Sequence, residues 1–135
     1  MPDRLADVLD TARELGFTVR DADADRVSLI SDDAVLVVHA DPEGRDLTLG
    51  FEGTPWHCHD PAYFARGEMF VPFSVCEVVI ALALGELVVV SYFQDGQCED
   101  RCLEHQEARR AFGALRPGEY LTVRRFEARG GGGRS

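Results

Sequence analysis

The stretch that most limits the folds open to this chain is residues 73–84, which are apolar on nearly all sides. Pro72 or Ser74 can begin a helix here, and Gly85 can end it. The length of the stretch predicts a helix buried against a sheet, although its β-branched residues leave a buried strand as the alternative. Cys76, inside the stretch, is expected to act as a small core residue. The rest of the chain must therefore supply a sheet that covers this helix.

The first half of the chain predicts one helix followed by four short strands. Leu5, Val8, Leu9 and Ala12 recur at helical spacing, with Asp3 placed to cap the helix and Gly16 to end it. The predicted strands cover residues 17–20, 26–31, 34–40 and 46–52. Short Asp-rich or Gly-containing turns separate them, as expected for an antiparallel meander connected by hairpins.

The second half combines a strong hairpin signal with weaker signals. Asp95-Gly96 predicts a two-residue turn between strands at 86–93 and 97–103, which would set Phe93 opposite Cys98 and Val89 opposite Cys102. Three further elements are predicted from composition and spacing: a short helical turn within 61–67, a helix over 107–115 and a last strand over 119–127.

Together these elements predict a single α+β domain over residues 1–129. Its sheet is mainly antiparallel, with about three helices packed on it, in the order α-β-β-β-β-α-β-β-α-β. An apolar fraction of 45% is ordinary for a globular protein. Residues 130–135, four of them glycine, are expected to form a flexible tail.

The net charge of −10 is concentrated in the first half of the chain. Residues 1–60 hold fourteen acidic residues against five arginines, whereas residues 61–135 hold ten against nine. Such a field repels nucleic acid and anionic membranes and attracts basic proteins. The start of the chain has no pattern typical of a signal peptide, so a cytoplasmic location is expected. The four cysteines are then expected to be thiols or metal ligands rather than disulfides.

The richest concentration of potential ligands lies between Gly53 and Asp60. It contains Trp56, His57, Cys58 and His59, and a His-x-His pair on a strand points both rings to one side. Imidazole, thiolate and carboxylate are the side chains that bind zinc. A zinc site or a small hydrolase is therefore one hypothesis, and a packed loop with local hydrogen bonds is the favoured one.

A second potential ligand group follows the predicted hairpin: Cys98, Cys102 and His105. Structural zinc is commonly held by two local ligand pairs that the fold brings together. The sequence gives no reason for this group to meet His57 and His59, and it contains no nucleophile elbow, phosphate loop or dinucleotide fingerprint. No cofactor is therefore expected, with zinc as the alternative.

The protein-binding hypothesis needs less convergence of distant residues. Trp56, Tyr63 and Phe64 are candidate anchors for a partner, and the acidic field would steer a basic one. Antidote proteins of the immunity type share this size and charge, although no motif is shared. The sequence thus favours a non-catalytic module that binds a basic protein, leaves its oligomeric state open, and keeps zinc binding or hydrolysis as the alternative.

Overall fold

The computed structural model describes residues 4–41, 46–108 and 115–127. In these ranges the chain forms two helices and ten strands, which confirms an α+β fold with a mainly antiparallel sheet. The helices are α1 (Leu5–Glu14) and α2 (Val75–Leu84). The strands are β1 (Thr18–Ala22), β2 (Arg26–Ile30), β3 (Val35–Ala40), β4 (Leu47–Phe51), β5 (His57–His59), β6 (Ala62–Arg66), β7 (Met69–Phe73), β8 (Leu87–Gln94), β9 (Gln97–His105) and β10 (Glu119–Arg124).

The strands form three antiparallel sheets. The first is a meander in the order β1-β2-β3-β4-β5, the second has the order β10-β8-β9, and β6 pairs only with β7 in the third. Helix α1 packs against α2 and against β1, β2 and β3, while α2 contacts β7 and β8. The two helices therefore fill the space between the sheets.

Helix α2 has the bounds that its sequence predicts. Ser74 caps it, accepting a hydrogen bond from the Glu77 backbone N–H at 3.2 Å, and Glu77 Oε1 accepts one from the Ser74 N–H at 2.8 Å. Gly85 follows the helix in the left-handed conformation, with φ of 78°, which a residue without a side chain adopts readily. Its buried residues lie along one face, with Ile80 and Leu84 exposed on the other, and the segment is helical throughout. The helix prediction is therefore confirmed over the strand alternative.

One apolar cluster joins the two larger sheets. It contains residues of α1, of the meander, of α2 and of β8 and β9, together with Phe126 beyond the end of β10. The Phe126 ring lies 5.9 Å from that of Phe17 and 6.4 Å from that of Phe51, measured between centroids. The last described segment thus packs against the first sheet.

The prediction of about three helices is wrong for the described residues, which contain two. The segment predicted as a helical turn, residues 61–67, forms β6 instead, paired with β7. Its alternation of exposed Tyr63 with buried Ala62 and Phe64 suits a strand. The chain order is consequently α-β-β-β-β-β-β-β-α-β-β-β.

Four predictions fall wholly or partly outside the described residues. They are the cap at Asp3, part of the turn at residues 41–44, the interior of the helix at 107–115 and the tail at 130–135. The described ends of the third predicted helix are not helical: Glu107 lies in a turn and Leu115 has no regular structure. Helix α1 itself begins at Leu5, with Arg4 in the capping position.

The predicted β8–β9 hairpin is confirmed near its turn, but farther from the turn its strand pairing differs by one residue from the predicted register. Phe93 pairs with Cys98 as predicted, but Tyr92 pairs with Asp100, so a bulge at Glu99 adds one residue to β9. Cys102 therefore lies opposite Val90, and the predicted pairing with Val89 is wrong. A bulge moves every later residue of the strand to the opposite face.

Candidate functional site

Strand β5 carries both histidines of the predicted ligand loop. It pairs with β4, which sets His57 opposite Gly50 and His59 opposite Thr48. Because side chains alternate along a strand, the two imidazoles project from the same face of the sheet. Their ring centroids are 5.7 Å apart and the rings meet edge to face. The sequence-based expectation about their direction therefore agrees with the geometry.

Each imidazole also has a local partner. His59 Nδ1 lies 3.0 Å from Asp46 Oδ2, and His57 Nδ1 lies 3.3 Å from the backbone oxygen of Pro55. Both histidines are exposed to solvent. These contacts hold the rings in place and leave their Nε2 edges directed away from the bonded atoms.

Cys58 points the opposite way, toward the core. It pairs with Leu49 of β4 and packs against the apolar cluster. Burial raises the pKa of its thiol from 9.0 to about 12, because the thiolate would lose hydration there. A metal ligand or nucleophile must be a thiolate, so Cys58 is poorly suited to either role. Asp60, just beyond β5, donates its backbone N–H to the Leu47 oxygen at 3.0 Å.

The second predicted ligand group lies on β9, in the other large sheet. Cys98 Sγ contacts the Asp100 backbone oxygen at 3.4 Å, and Cys102 Sγ lies 3.9 Å from Glu104 Oε2. His105 is buried, and its Nδ1 accepts a hydrogen bond from the Glu107 N–H at 3.0 Å. Within the described ranges, no three or more His, Cys, Asp or Glu side chains are grouped so as to hold a metal ion.

A row of polar side chains crosses the outer face of the meander. Arg26 on β2 lies opposite His39 on β3, His39 opposite Thr48 on β4, and Thr48 opposite His59 on β5. Beside this row, Val37 lies opposite Gly50, which in turn lies opposite His57. Directly opposed side chains on neighbouring strands have Cβ atoms about 4.5–5.5 Å apart, so these groups are neighbours.

A groove of about 300 Å³ lies over this part of the sheet, lined by Arg26, His39, Thr48, Gly50, Glu52 and His57 among others. Neither Arg26 nor His39 was among the candidate site residues predicted from the sequence. Arg26, His39, Thr48, Gly50 and Glu52 all lie in predicted strands, whereas His57 lies in the predicted ligand loop. The sequence did not show that these residues are neighbours, because that depends on the register of strand pairing. Register depends on the exact turn lengths, which could not be inferred from the sequence.

Of the predicted binding residues Trp56, Tyr63 and Phe64, only Tyr63 is exposed. The β6–β7 hairpin turns Tyr63 outward with 64% of its surface exposed, and places Phe70 on the same face with 72% exposed. Met69, at the turn end of β7, is 70% exposed. Phe64 faces inward and packs edge to face on Phe73, at 5.5 Å between centroids. Trp56 is half-buried, with its ring 5.9 Å from that of Phe51.

Comparison with known proteins yields no relative: neither a protein-family model, nor a curated protein, nor a solved structure matches this chain. In the ranges that the structure describes, none of the helices is long and apolar enough to cross a membrane. Function must therefore be argued from the residues and geometry above.

Proposed function

We propose that this protein is a small, non-catalytic binding domain for a basic protein, and that the outer face of the β6–β7 hairpin is its contact surface. The observation that carries the proposal is the exposure of Tyr63 and Phe70 on that face, hereafter the hairpin patch. All four cysteines are free thiols, which favours a reducing compartment such as the cytoplasm.

The geometry of the hairpin patch suits an anchor site. Tyr63 lies opposite Pro72, and Phe70 lies opposite Ala65 two pairs farther along. Tyr63 and Phe70 are therefore diagonal neighbours on one face, within reach of each other across the small Ala65. Grouped exposed aromatic side chains mark interaction sites more often than single ones do, because their burial by a partner releases a large apolar area. Phe64 is buried and is left out of the proposed surface.

The charge of the chain indicates the kind of partner. A net charge of −10 produces a negative field that speeds encounter with basic surfaces and slows encounter with acidic ones. The field and the hairpin patch have separate roles in this proposal: charge steers the partner, and aromatic contacts retain it. Ion-pair steering weakens as salt shortens the Debye length, which is about 8 Å at physiological ionic strength.

The test begins with photocrosslinking in the native host, with a benzophenone amino acid at position 70 or, as a control, at position 84. Leu84 on α2 is 66% exposed and thus equally accessible, but it lies outside the hairpin patch. The partner crosslinked only from position 70 is then purified. Its affinity is measured for the wild type, for a Tyr63→Ser/Phe70→Ser double variant and for Leu84→Ser.

We expect the double variant to bind at least about a hundredfold more weakly, since each buried aromatic anchor contributes about 2 kcal/mol or more. Leu84→Ser should bind within about twofold of the wild type, and salt should slow association with the wild type. The proposal fails if position 70 captures no basic protein, or if the double variant and Leu84→Ser bind equally well.

Zinc binding is the second candidate function, favoured by one observation. His57 and His59 project side by side from β5, with 5.7 Å between ring centroids and Asp46 next to His59. A stable zinc site needs three or four ligands, so this pair would require a further ligand from a partner or a second copy. Metal analysis of the purified protein should find zinc that is lost in His57→Ala/His59→Ala. Equal metal content in both proteins would dismiss this candidate.

A further inference from the structure

We propose that the groove on the outer face of the meander binds the carboxylate or phosphate group of a small organic anion. The residues that carry this inference are Arg26, His39 and His57, with Gly50 in the floor. None of them belongs to the hairpin patch, so the proposed anion site is independent of the proposed partner surface and is tested separately.

Arg26 supplies the principal donor. It is half-buried at one side of the groove, and its Nε is buried without a hydrogen-bond partner among the described residues. A buried donor left unpaired is destabilising, and more so when it is charged. The planar guanidinium matches the two oxygens of a carboxylate or phosphate, and the Nε edge takes part in such paired contacts. An oxyanion on Arg26 would thus relieve an existing cost.

The other polar side chains of the groove include two imidazoles, one hydroxyl and one carboxylate. His39 lies directly opposite Arg26, Thr48 lies opposite His39, and His57 borders the groove from β5. Glu52 is the acidic residue in the lining, and its Oε2 is bound by Arg20 Nη2 at 2.6 Å. Its charge is therefore matched by Arg20, and Arg26 and the imidazoles give this groove a donor-rich character in an otherwise acidic protein.

Glycine is required in the floor of the groove. A Cβ atom at position 50 would lie 2.7 Å from the Trp56 backbone oxygen and 3.3 Å from His57 Cβ. With no side chain there, β5 approaches β4 closely and the space above Val37 stays open. The floor is apolar at Val37 and Gly50, so it suits the hydrocarbon part of a ligand whose charged end meets Arg26.

The groove volume limits the ligand to metabolite size. About 300 Å³ is at the lower end of the range for small-molecule sites, and the groove is open to solvent on the face of the sheet. A short dicarboxylate or a small phosphate ester fits this description. A peptide or a nucleic acid strand would need a longer positive surface than one arginine provides.

The test is an NMR titration of the ¹⁵N-labelled full chain at low ionic strength with three probes: glutarate, inorganic phosphate and the neutral glutaramide. We expect saturable shifts of the Val37, Gly50 and Gly53 amides with glutarate or phosphate, with a Kd of about 1 mM or tighter. Glutaramide should leave them unchanged. The stronger of the two anions identifies the head group.

Three variants locate the site. Arg26→Gln should weaken anion binding at least about tenfold, the effect of losing one charged hydrogen bond. His39→Glu, at an exposed position, should abolish it by reversing charge opposite Arg26. Arg66→Gln is the matched control, because Arg66 lies on β6 with Glu107 as its ion-pair partner at 3.6 Å.

The remaining amide signals show whether each variant is folded. The inference is overturned if neither anion shifts the groove amides, or if Arg66→Gln weakens binding as much as Arg26→Gln does. It is also overturned if His39→Glu is folded and binds glutarate and phosphate as the wild type does.

Discussion

Cys58 shows how one strand position separates neighbouring side chains into different environments. His57 and His59 face solvent, while the thiol between them packs on the core and has its pKa raised to about 12 by burial. Between pH 9 and 12 the folded chain keeps a proton that the unfolded chain loses. The folded state then binds more protons, so the free energy of unfolding falls as pH rises through this window.

We therefore predict that the wild type loses more stability than Cys58→Ala between pH 8.5 and 10.5, as measured by urea unfolding at each pH. Below about pH 8 the stability difference between the two proteins should not depend on pH, because the thiol is protonated in both states. Parallel loss of stability in the two proteins above pH 9 would contradict the assignment of a buried, protonated thiol. Tyrosine titration affects both proteins equally and therefore cancels.

At the scale of elements, α2 was predictable because its signals are local. The Ser74 cap, the apolar run and the terminal Gly85 all lie within one segment, and each is used in the structure as expected. The same holds for α1 from Leu5 onward, for the first four strands of the five-strand meander and for the Asp95-Gly96 turn. Elements whose cap, apolar pattern and terminating residue all lie within one segment can therefore be predicted from the sequence.

Elements whose bounds depend on distant partners were not predictable. Residues 61–67 have composition suited to a helical turn, but pairing with β7 and inward packing of Phe64 make them a strand. The bulge at Glu99 likewise could not be predicted, because no glycine in β9 indicates its position. It changes the strand partner of Cys102. The pairing partner and the available core volume decide such cases, and neither is local information.

The same distinction applies to the candidate sites. The shared direction of His57 and His59 follows from strand alternation alone, so the sequence predicted it. The row from Arg26 to His59 depends on the register of three successive strand pairs. A shift of one residue in any of these pairs would place its members on opposite faces. That row could be found only with the structure.

The cap of α2 provides a test at this scale. Ser74→Ala removes the oxygen that accepts from the Glu77 N–H, and we expect it to lower the free energy of unfolding by about 1 kcal/mol. Glu77→Gln keeps an acceptor for the Ser74 N–H and should cost less. Chemical denaturation of both variants measures the difference. Equal stability of Ser74→Ala and the wild type would show that the cap does not hold the helix.

At the scale of the whole molecule, charge and apolar contacts are distributed differently along the chain. Most of the net negative charge belongs to residues 1–60, which also form the meander that carries the donor-rich groove. The apolar core, by contrast, takes residues from both halves. Self-repulsion in the first half is therefore opposed by packing that involves the second half. This arrangement makes the contacts between the halves decisive for stability.

Phe126 is the clearest of these contacts. It is 1% exposed, lies two residues beyond β10 and packs on Phe17 and Phe51 of the first half. We predict that Phe126→Ala lowers the free energy of unfolding by about 3–5 kcal/mol, because it leaves a cavity between the sheets. Val123→Ala, at a half-exposed position of β10, should cost less than about 1 kcal/mol.

The measurement can follow both halves at once. Trp56 is the only tryptophan and packs on Phe51, so its fluorescence reports on the meander, whereas circular dichroism reports on all elements. Since Phe126 connects the two larger sheets through Phe51, both signals should move together to lower denaturant concentration in Phe126→Ala. If the circular dichroism transition moved and the Trp56 transition did not, the sheets would be unfolding independently. Phe126 would then stabilise only its own sheet.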